Sequence, residues 1–551
     1  MKYAAVILVF AVALGACSTE DETKLHAIAT ITEDDLSSHI EVLASDEFQG
    51  RMPGTEGETR TIEYLTKEFK RIGAKPGNGD SYTQEMELIS LNPSVYDMIT
   101  VEGEGGRVSL NYKDEFVAVS TATGQPAVIS NAELVFAGFG IVAPEYGWND
   151  YQGIDMEGKI AVVLVNDPGF YTQDSSFFNG RAMTYYGRWT YKYEEAARQG
   201  ASGIFIVHET APAGYPWQIV RKGWTGPQMY INKQEVLAQH CGFEGWINHE
   251  KAKEIFALAG EDYERMKDLA VKGEAGPTPL GLTTTLSITN TTETLTTSNV
   301  LALIEGSERP DEVIVYTAHW DHFGVDPSLE QEDKIYNGAR DNATGTSALL
   351  ELAEAFASLP KAPARSVLLL AVTAEEQGLL GSKYYVEHPV FPMRNTIAVI
   401  NLDGLNIFGP MNDITLVGYG QSELDAYAEN AAARQSRVVK PDPEPEKGRY
   451  FRSDHFNFIK HGVPAMYPSM GFDHREKGAD YAREKANEWV EVYYHEPSDN
   501  YEPEWWDLRG AVEDIQLVFD VGYMLATSSH VPGWNAGSEF KAIREESFAK
   551  K

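Results

Sequence analysis

Hydrophobic and polar positions change period along this chain, and the changes divide it. Near the start, Ile62, Leu65, Phe69 and Ile72 recur at helical spacing, and Gly73 with Pro76 stops the helix. Before it, Thr32 with Asp35 forms a capping-box opening for a helix over Leu36 to Leu43. From Tyr82 to Val119 the pattern is strand-like. Short apolar runs follow, Leu134-Val135-Phe136 and Ile160 to Val165, and a helical stretch from Tyr193 to Gln199 leads into Gly200 to Val207. Beyond Thr297 strands and helices alternate. Val313 to Tyr316, Ser366 to Val372 and Thr396 to Leu402 read as buried strands, with helices over Ala343 to Leu359 and Leu379 to His388 between them. That β-α-β-α-β order predicts an α/β fold whose mostly parallel sheet is flanked by helices on both faces.

Length and charge sharpen this picture. A chain of 551 residues exceeds one ordinary core, so two domains are expected, one inserted into the other. With 82 acidic and 46 basic residues the net charge is −36, which repels phosphate backbones and excludes nucleic acid as a partner. At the N-terminus, Lys2 and an apolar run from Ala4 to Leu14 are too short to span a membrane. The run ends in Leu14-Gly15-Ala16-Cys17, which resembles a bacterial lipobox. The resemblance implies anchoring through lipidated Cys17, and Ser18 after it implies the outer membrane of the cell envelope. Cys17 and Cys241 are the two cysteines, so no disulfide framework and no thiolate metal site is available. Any metal falls to histidines and carboxylates.

Those residues stand where chemistry gathers in such folds, just beyond the C-terminal ends of strands. After the first strand comes His319-Trp320-Asp321-His322, after the second Thr373-Ala374-Glu375-Glu376, and after the third Asp403 within Asn401-Leu402-Asp403-Gly404. Arg340-Asp341-Asn342-Ala343 opens the first helix between them. A lone histidine or carboxylate of this kind is more often a core residue or helix cap. Four such groups at one sheet edge have no structural reason to converge.

The set "AHWDHFG", "NGARDNATGTSALLELA", "TAEEQGLLGS", "NLDG" and "YYHEPSD" resembles the M28 family of metallopeptidases, which includes bacterial leucyl aminopeptidases. The resemblance implies a zinc-exopeptidase fold and two zinc ions. His319 and Asp403 would hold one, Glu376 and His495 the other, and Asp341 would bridge them. Glu375 would be the general base and Asp321 would orient the His319 ring. It also implies a cis peptide at Asp341-Asn342. The chemistry agrees: imidazole and carboxylate suit zinc, and four positive charges against three carboxylates leave a residue that one anion neutralises. On extended backbone, Glu375 and Glu376 would point in opposite directions, one to the metal and one to the attacking water.

Between these motifs and the N-terminus, "FAGFGI", "YQGIDMEGKIAVVL" and "EEAARQGASGIFIV" resemble the β-rich protease-associated module. The expected organisation is a lipoprotein signal peptide over 1–17, an N-terminal part of the catalytic domain over 18–130, the inserted module over 131–280, the catalytic domain over 281–535 and a tail over 536–551. The implied function is a two-zinc aminopeptidase acting on peptides. A carboxypeptidase is the rival, and it needs a cation such as Arg340, Arg449 or Arg452 to grip the substrate carboxylate. A glutaminyl cyclase or a non-catalytic receptor fits less well, because all five ligand positions are filled. His322 reads as structural. Asp454 and His455 read as pocket residues or as a helix cap, and Tyr450, Phe451 and Tyr467 as pocket walls or core.

Overall fold

A computed structural model describes residues 22–549, so the leader and Cys17 lie outside the described residues. The chain forms two compact units. One takes the chain up to Met86, Thr296–Asp442 and the chain from Ser453 onward; the other takes Glu87–Leu295 and Pro443–Arg452.

The first unit carries the alternating pattern. Its helix α1 (Glu33–Leu43) opens as expected, with the Thr32 side chain accepting from the Asp35 amide at 3.2 Å. Helix α2 (Glu56–Ile72) ends at Gly73, whose φ of 90° is the left-handed conformation that glycine adopts without penalty. The last residues of β1 (Thr278–Ile304) pair antiparallel with β2 (Arg365–Val372), which lies parallel to β3 (Arg309–His319). Next come β4 (Thr396–Asn401) and β5 (Ala465–Met470), both parallel, and then β6 (Asp413–Val417), antiparallel to β5. The expected mixed, mostly parallel sheet is therefore present.

From Val313 onward β3 is buried at every residue, as are β2 and β4 throughout. That continuous burial explains their unbroken apolar runs, since helices cover both faces of such a sheet. Ile314, Tyr316, Leu369 and Ile400 share one core with Leu349, Leu352 and Phe356 of α3 (Thr344–Ala357) and with Ile515, Val518 and Phe519 of α4 (Arg509–Thr527). Helix α4, with 19 residues, is an element the sequence reading did not anticipate. Among the described residues no helix is long and apolar enough to cross a membrane.

The second unit is built on strands Ala127–Phe136, Ile160–Leu164, Gly203–His208 and Phe243–Asn248, each parallel to the next. Helix Trp189–Arg198 packs against them, with Val163, Ala196, Ile206 and Trp246 in the shared core. This unit is wider than the expected insert over 131–280, and the reason is strand pairing. Leu88–Leu91 pairs with Gln228–Ile231, Phe116–Val119 with Ile247–Glu244, and Val101–Glu102 with Thr283–Thr284. Residues 87–130, expected in the catalytic domain, therefore fold here. Cys241 is buried and free.

Candidate metal centre

Strand ends and loops of the first unit deliver the site. His319 ends β3, Glu375 and Glu376 follow β2, Asp403 follows β4, and Asp341 precedes α3. The Asp341–Asn342 peptide is cis, as the resemblance implies. Asp341 presents its two oxygens to different histidines. Oδ1 lies 3.2 Å from His319 Nε2, and Oδ2 lies 3.3 Å from His495 Nε2. Asp403 Oδ1 stands 3.4 Å from His319 Nε2, and Glu376 Oε2 stands 3.3 Å from His495 Nε2. All five residues expected to hold metal thus meet, in two groups that share Asp341.

The spacing fits zinc. Four ligands at about 2.0–2.1 Å in tetrahedral array lie about 3.3 Å from one another. The four separations above run from 3.2 to 3.4 Å. The charge fits as well. Asp321, Asp341 and Asp499 are buried beside the half-buried Glu375, Glu376 and Asp403. The buried Arg51 guanidinium below them donates to the carbonyls of Trp320, Leu43, Asn337 and Gly338 rather than to a carboxylate. A carboxylate cluster this large, withdrawn from water, calls for cations. His319 feels it: burial opposes its charged form, yet Glu375, Asp341 and Asp403 hold its pKa well above the usual imidazole value. Burial likewise raises the Glu375 carboxyl well above its ordinary range, with Glu376 and Asp403 adding to the effect and His319 opposing it.

Neighbouring groups fix the far side of most ligands. Ser453 Oγ donates to Asp403 Oδ2 at 2.6 Å, itself held by Asn401 at 2.8 Å. His322 Nδ1–H donates to Glu376 Oε1 at 2.8 Å, which gives that histidine its structural role. Asp499 accepts the amides of Arg340 and Asp341, both at 3.1 Å. Asn342 ties the start of α3 to the Asp403 loop, accepting from the amides of Gly345 and Gly404 and donating to the Leu402 carbonyl. Only glycine fits at position 345, because a Cβ there would collide with Asn342 Oδ1 and the Leu402 carbonyl. Ser453 and Arg51 have no signal in sequence, since a single Ser or Arg in a loop carries no spacing; Asn342 and Asp499 fall inside the motifs quoted above, which do not indicate these bonds.

Two expectations change. Glu375 and Glu376 do not point in opposite directions, since ligand atoms of both lie within 4.8 Å of each other and of His319. The chain here is turning rather than extended: Ala374 has φ 52°, and the Gly378 and Leu379 amides close onto the Glu375 carbonyl. Asp321 also acts differently. His319 Nδ1–H donates to the Asp321 main-chain carbonyl at 3.1 Å, and the Asp321 carboxylate stays 3.9 Å away. That carboxylate instead accepts the Glu375 amide at 3.0 Å and the Glu376 amide at 3.4 Å. It holds the turn that carries the acid pair.

The remaining candidates divide. Tyr467 donates to Asp403 Oδ2 at 3.4 Å and packs against the His455 ring. Asp454 makes no capping bond to its helix and accepts from Ser382 at 2.6 Å. Tyr450, Phe451, Arg449 and Arg452 belong to the second unit, where Phe451 packs on Tyr185. Arg340 is turned into the core, its Cζ 4.3 Å from the Trp489 ring centre and its Nε donating to the Leu405 carbonyl. It is not placed to grip a substrate carboxylate.

Comparison with known proteins agrees with this geometry. Residues 299–519 match the family model described as Peptidase family M28. A protein of Leptosphaeria maculans named "Probable zinc metalloprotease" is 28% identical over 218 residues, 38% of this chain and 49% of that protein. The chain thus spans about half the length of that relative. Aminopeptidase NAALADL1 of Mus musculus is 34% identical over 136 residues, covering 23% of this chain and 16% of the mouse protein. Among solved structures, an aminopeptidase from Aneurinibacillus sp. strain AM-1 shares the fold at 18% identity and a TM-score of 0.51, over 92% of this chain and 97% of the other. The segment that carries every residue of the metal centre, from His319 to His495, thus lies within the match to Peptidase family M28.

Proposed function

We propose that this protein is a two-zinc exopeptidase that removes N-terminal residues from peptides. One observation carries the reading: the two oxygens of Asp341 face His319 and His495 separately, at 3.2 and 3.3 Å, each histidine paired with a further carboxylate. Such a shared carboxylate is what two cations about 3.5–4 Å apart require. His319, Asp341 and Asp403 would hold one zinc, and His495, Asp341 and Glu376 the other.

Zinc, when bound, supplies Lewis acidity to the scissile carbonyl and to the attacking water. The protein supplies the proton path. Glu375 takes the water's proton and passes it to the departing amine. Its carboxylate lies beside the ligands, within 4.8 Å of donor atoms of His319 and Glu376. Asp321 keeps it in place through the Glu375 amide. The side chain of His495 is 31% exposed, so the centre opens to solvent on that ligand's side, as a catalytic zinc site must. The second unit we read as a protease-associated module, on its three sequence motifs and its β-rich core.

A matched panel of peptides with free and acetylated N-termini, each as acid and amide at the C-terminus, tests the direction of cutting. Release of the first residue from free-amine peptides, whatever the C-terminus, is the expected result. Cleavage that instead requires a free carboxylate would replace this reading with a carboxypeptidase.

A further inference from the structure

The five ligands are not held alike. His319 is buried, with its Nδ1–H bonded to a carbonyl at 3.1 Å. Asp403 and Glu376 have their outer oxygens bonded at 2.6 and 2.8 Å. The amide of Asp341 is fixed by Asp499. A ligand held this way keeps its orientation before a cation arrives, so less ordering is left for binding to impose.

His495 has no such support. Its Nδ1 makes no hydrogen bond among the described residues, and the residue sits at φ 59°, where side chains other than glycine are strained. The helix before it, Gly478–Val492, buries Ala482 fully and packs Ala486 and Trp489 partly against the core. Two rings grip the imidazole instead. Tyr494 stacks on it, with ring centres 3.7 Å apart and planes 28° apart, and Phe323 meets it edge-on at 4.8 Å. The stack continues inward: Tyr494 packs on Trp489 at 5.2 Å, and Arg340 covers Trp489 at 4.3 Å. Arg340 is the residue before the shared Asp341. Tyr494 itself is 37% exposed, so the outer jaw of the grip faces solvent.

We propose that Phe323 and Tyr494 form an aromatic clamp that positions His495, and that this makes the cation position between His495 and Glu376 the weaker of the two, with an affinity set by the clamp. The inference rests on the two-zinc reading above. Stacking constrains ring tilt less sharply than a hydrogen bond to Nδ1. The clamp therefore holds the ligand while leaving it the easiest of the five to displace. The two aromatic residues are positioning residues, acting through His495.

Competition of the zinc-loaded full chain with a chromophoric chelator reads the stepwise affinities without reference to activity. Wild type is expected to release zinc in two separated steps. Tyr494→Ala and Phe323→Leu each weaken the first-released step about two- to tenfold and leave the second unchanged, whereas Tyr494→Phe, which keeps the ring, behaves as wild type. The idea is overturned if neither variant moves either step, or if both steps move equally. Should Phe323→Leu fail to fold, the exposed Tyr494 still decides the matter through its Ala and Phe variants. A wild-type protein that binds a single zinc would defeat the two-zinc reading itself, a result distinct from any failure of the clamp.

Discussion

Replacing Glu375 by Gln lowers kcat about a thousandfold while both zinc ions remain bound. The side chain keeps its size and loses its ability to take a proton. General acid–base groups contribute about 10²–10⁴ in rate. A thousandfold corresponds to about 4 kcal/mol of transition-state stabilisation, at about 1.36 kcal/mol per tenfold. The zinc content is expected to hold because Glu375 is in neither half of the Asp341-centred set; those halves close at 3.2–3.4 Å without it. Steady-state kinetics beside metal analysis on the same sample checks both halves of the claim. Retained activity would remove Glu375 from the mechanism, and lost zinc would make it a ligand.

The second large effect belongs to Asp341→Ala. Each of the other ligands serves one cation position, whereas this carboxylate serves both, so its loss removes a donor from two sets at once. It also removes the negative charge shared between two cations, leaving their repulsion at about 4 Å less compensated. The variant is expected to leave gel filtration without zinc and to show no measurable hydrolysis. His319→Ala, which strips one position only, is expected to retain one zinc. Two zinc ions on Asp341→Ala would show that the carboxylate is not shared.

Much of this site is legible in the sequence because strand ends announce it. His319, Glu375, Glu376 and Asp403 each end an apolar run whose burial the pattern already implies, and a charged residue there needs a reason. The groups that steady them are not legible. Ser453 reaches Asp403 from 50 positions away, and Arg51 reaches the Trp320 carbonyl across 269. Neither residue type is unusual in a loop. The direction of the Glu375–Glu376 pair is not legible either, because alternation assumes extended backbone and the left-handed Ala374 bends the chain at that point. The role of Asp321 shifted for a similar reason: motif spacing brings it near His319 but cannot tell a carbonyl contact from a carboxylate one.

The fold divides the same way. Strands β2, β3 and β4 are long apolar runs between helical spacings, and local period suffices to find them. The boundary of the second unit rests on antiparallel partners far apart in sequence, such as Leu88–Leu91 with Gln228–Ile231. No local signal marks such a pairing, so the sequence groups residues 87–130 with the catalytic part, whereas their strand partners lie in the second unit.

An anomalous difference map at the zinc edge, from a crystal of the wild-type chain grown with zinc, tests the central claim most directly. Two peaks about 3.5–4 Å apart are predicted. One should lie among His319, Asp341 and Asp403, and the other among His495, Asp341 and Glu376. A single peak, or two peaks without Asp341 between them, would contradict it.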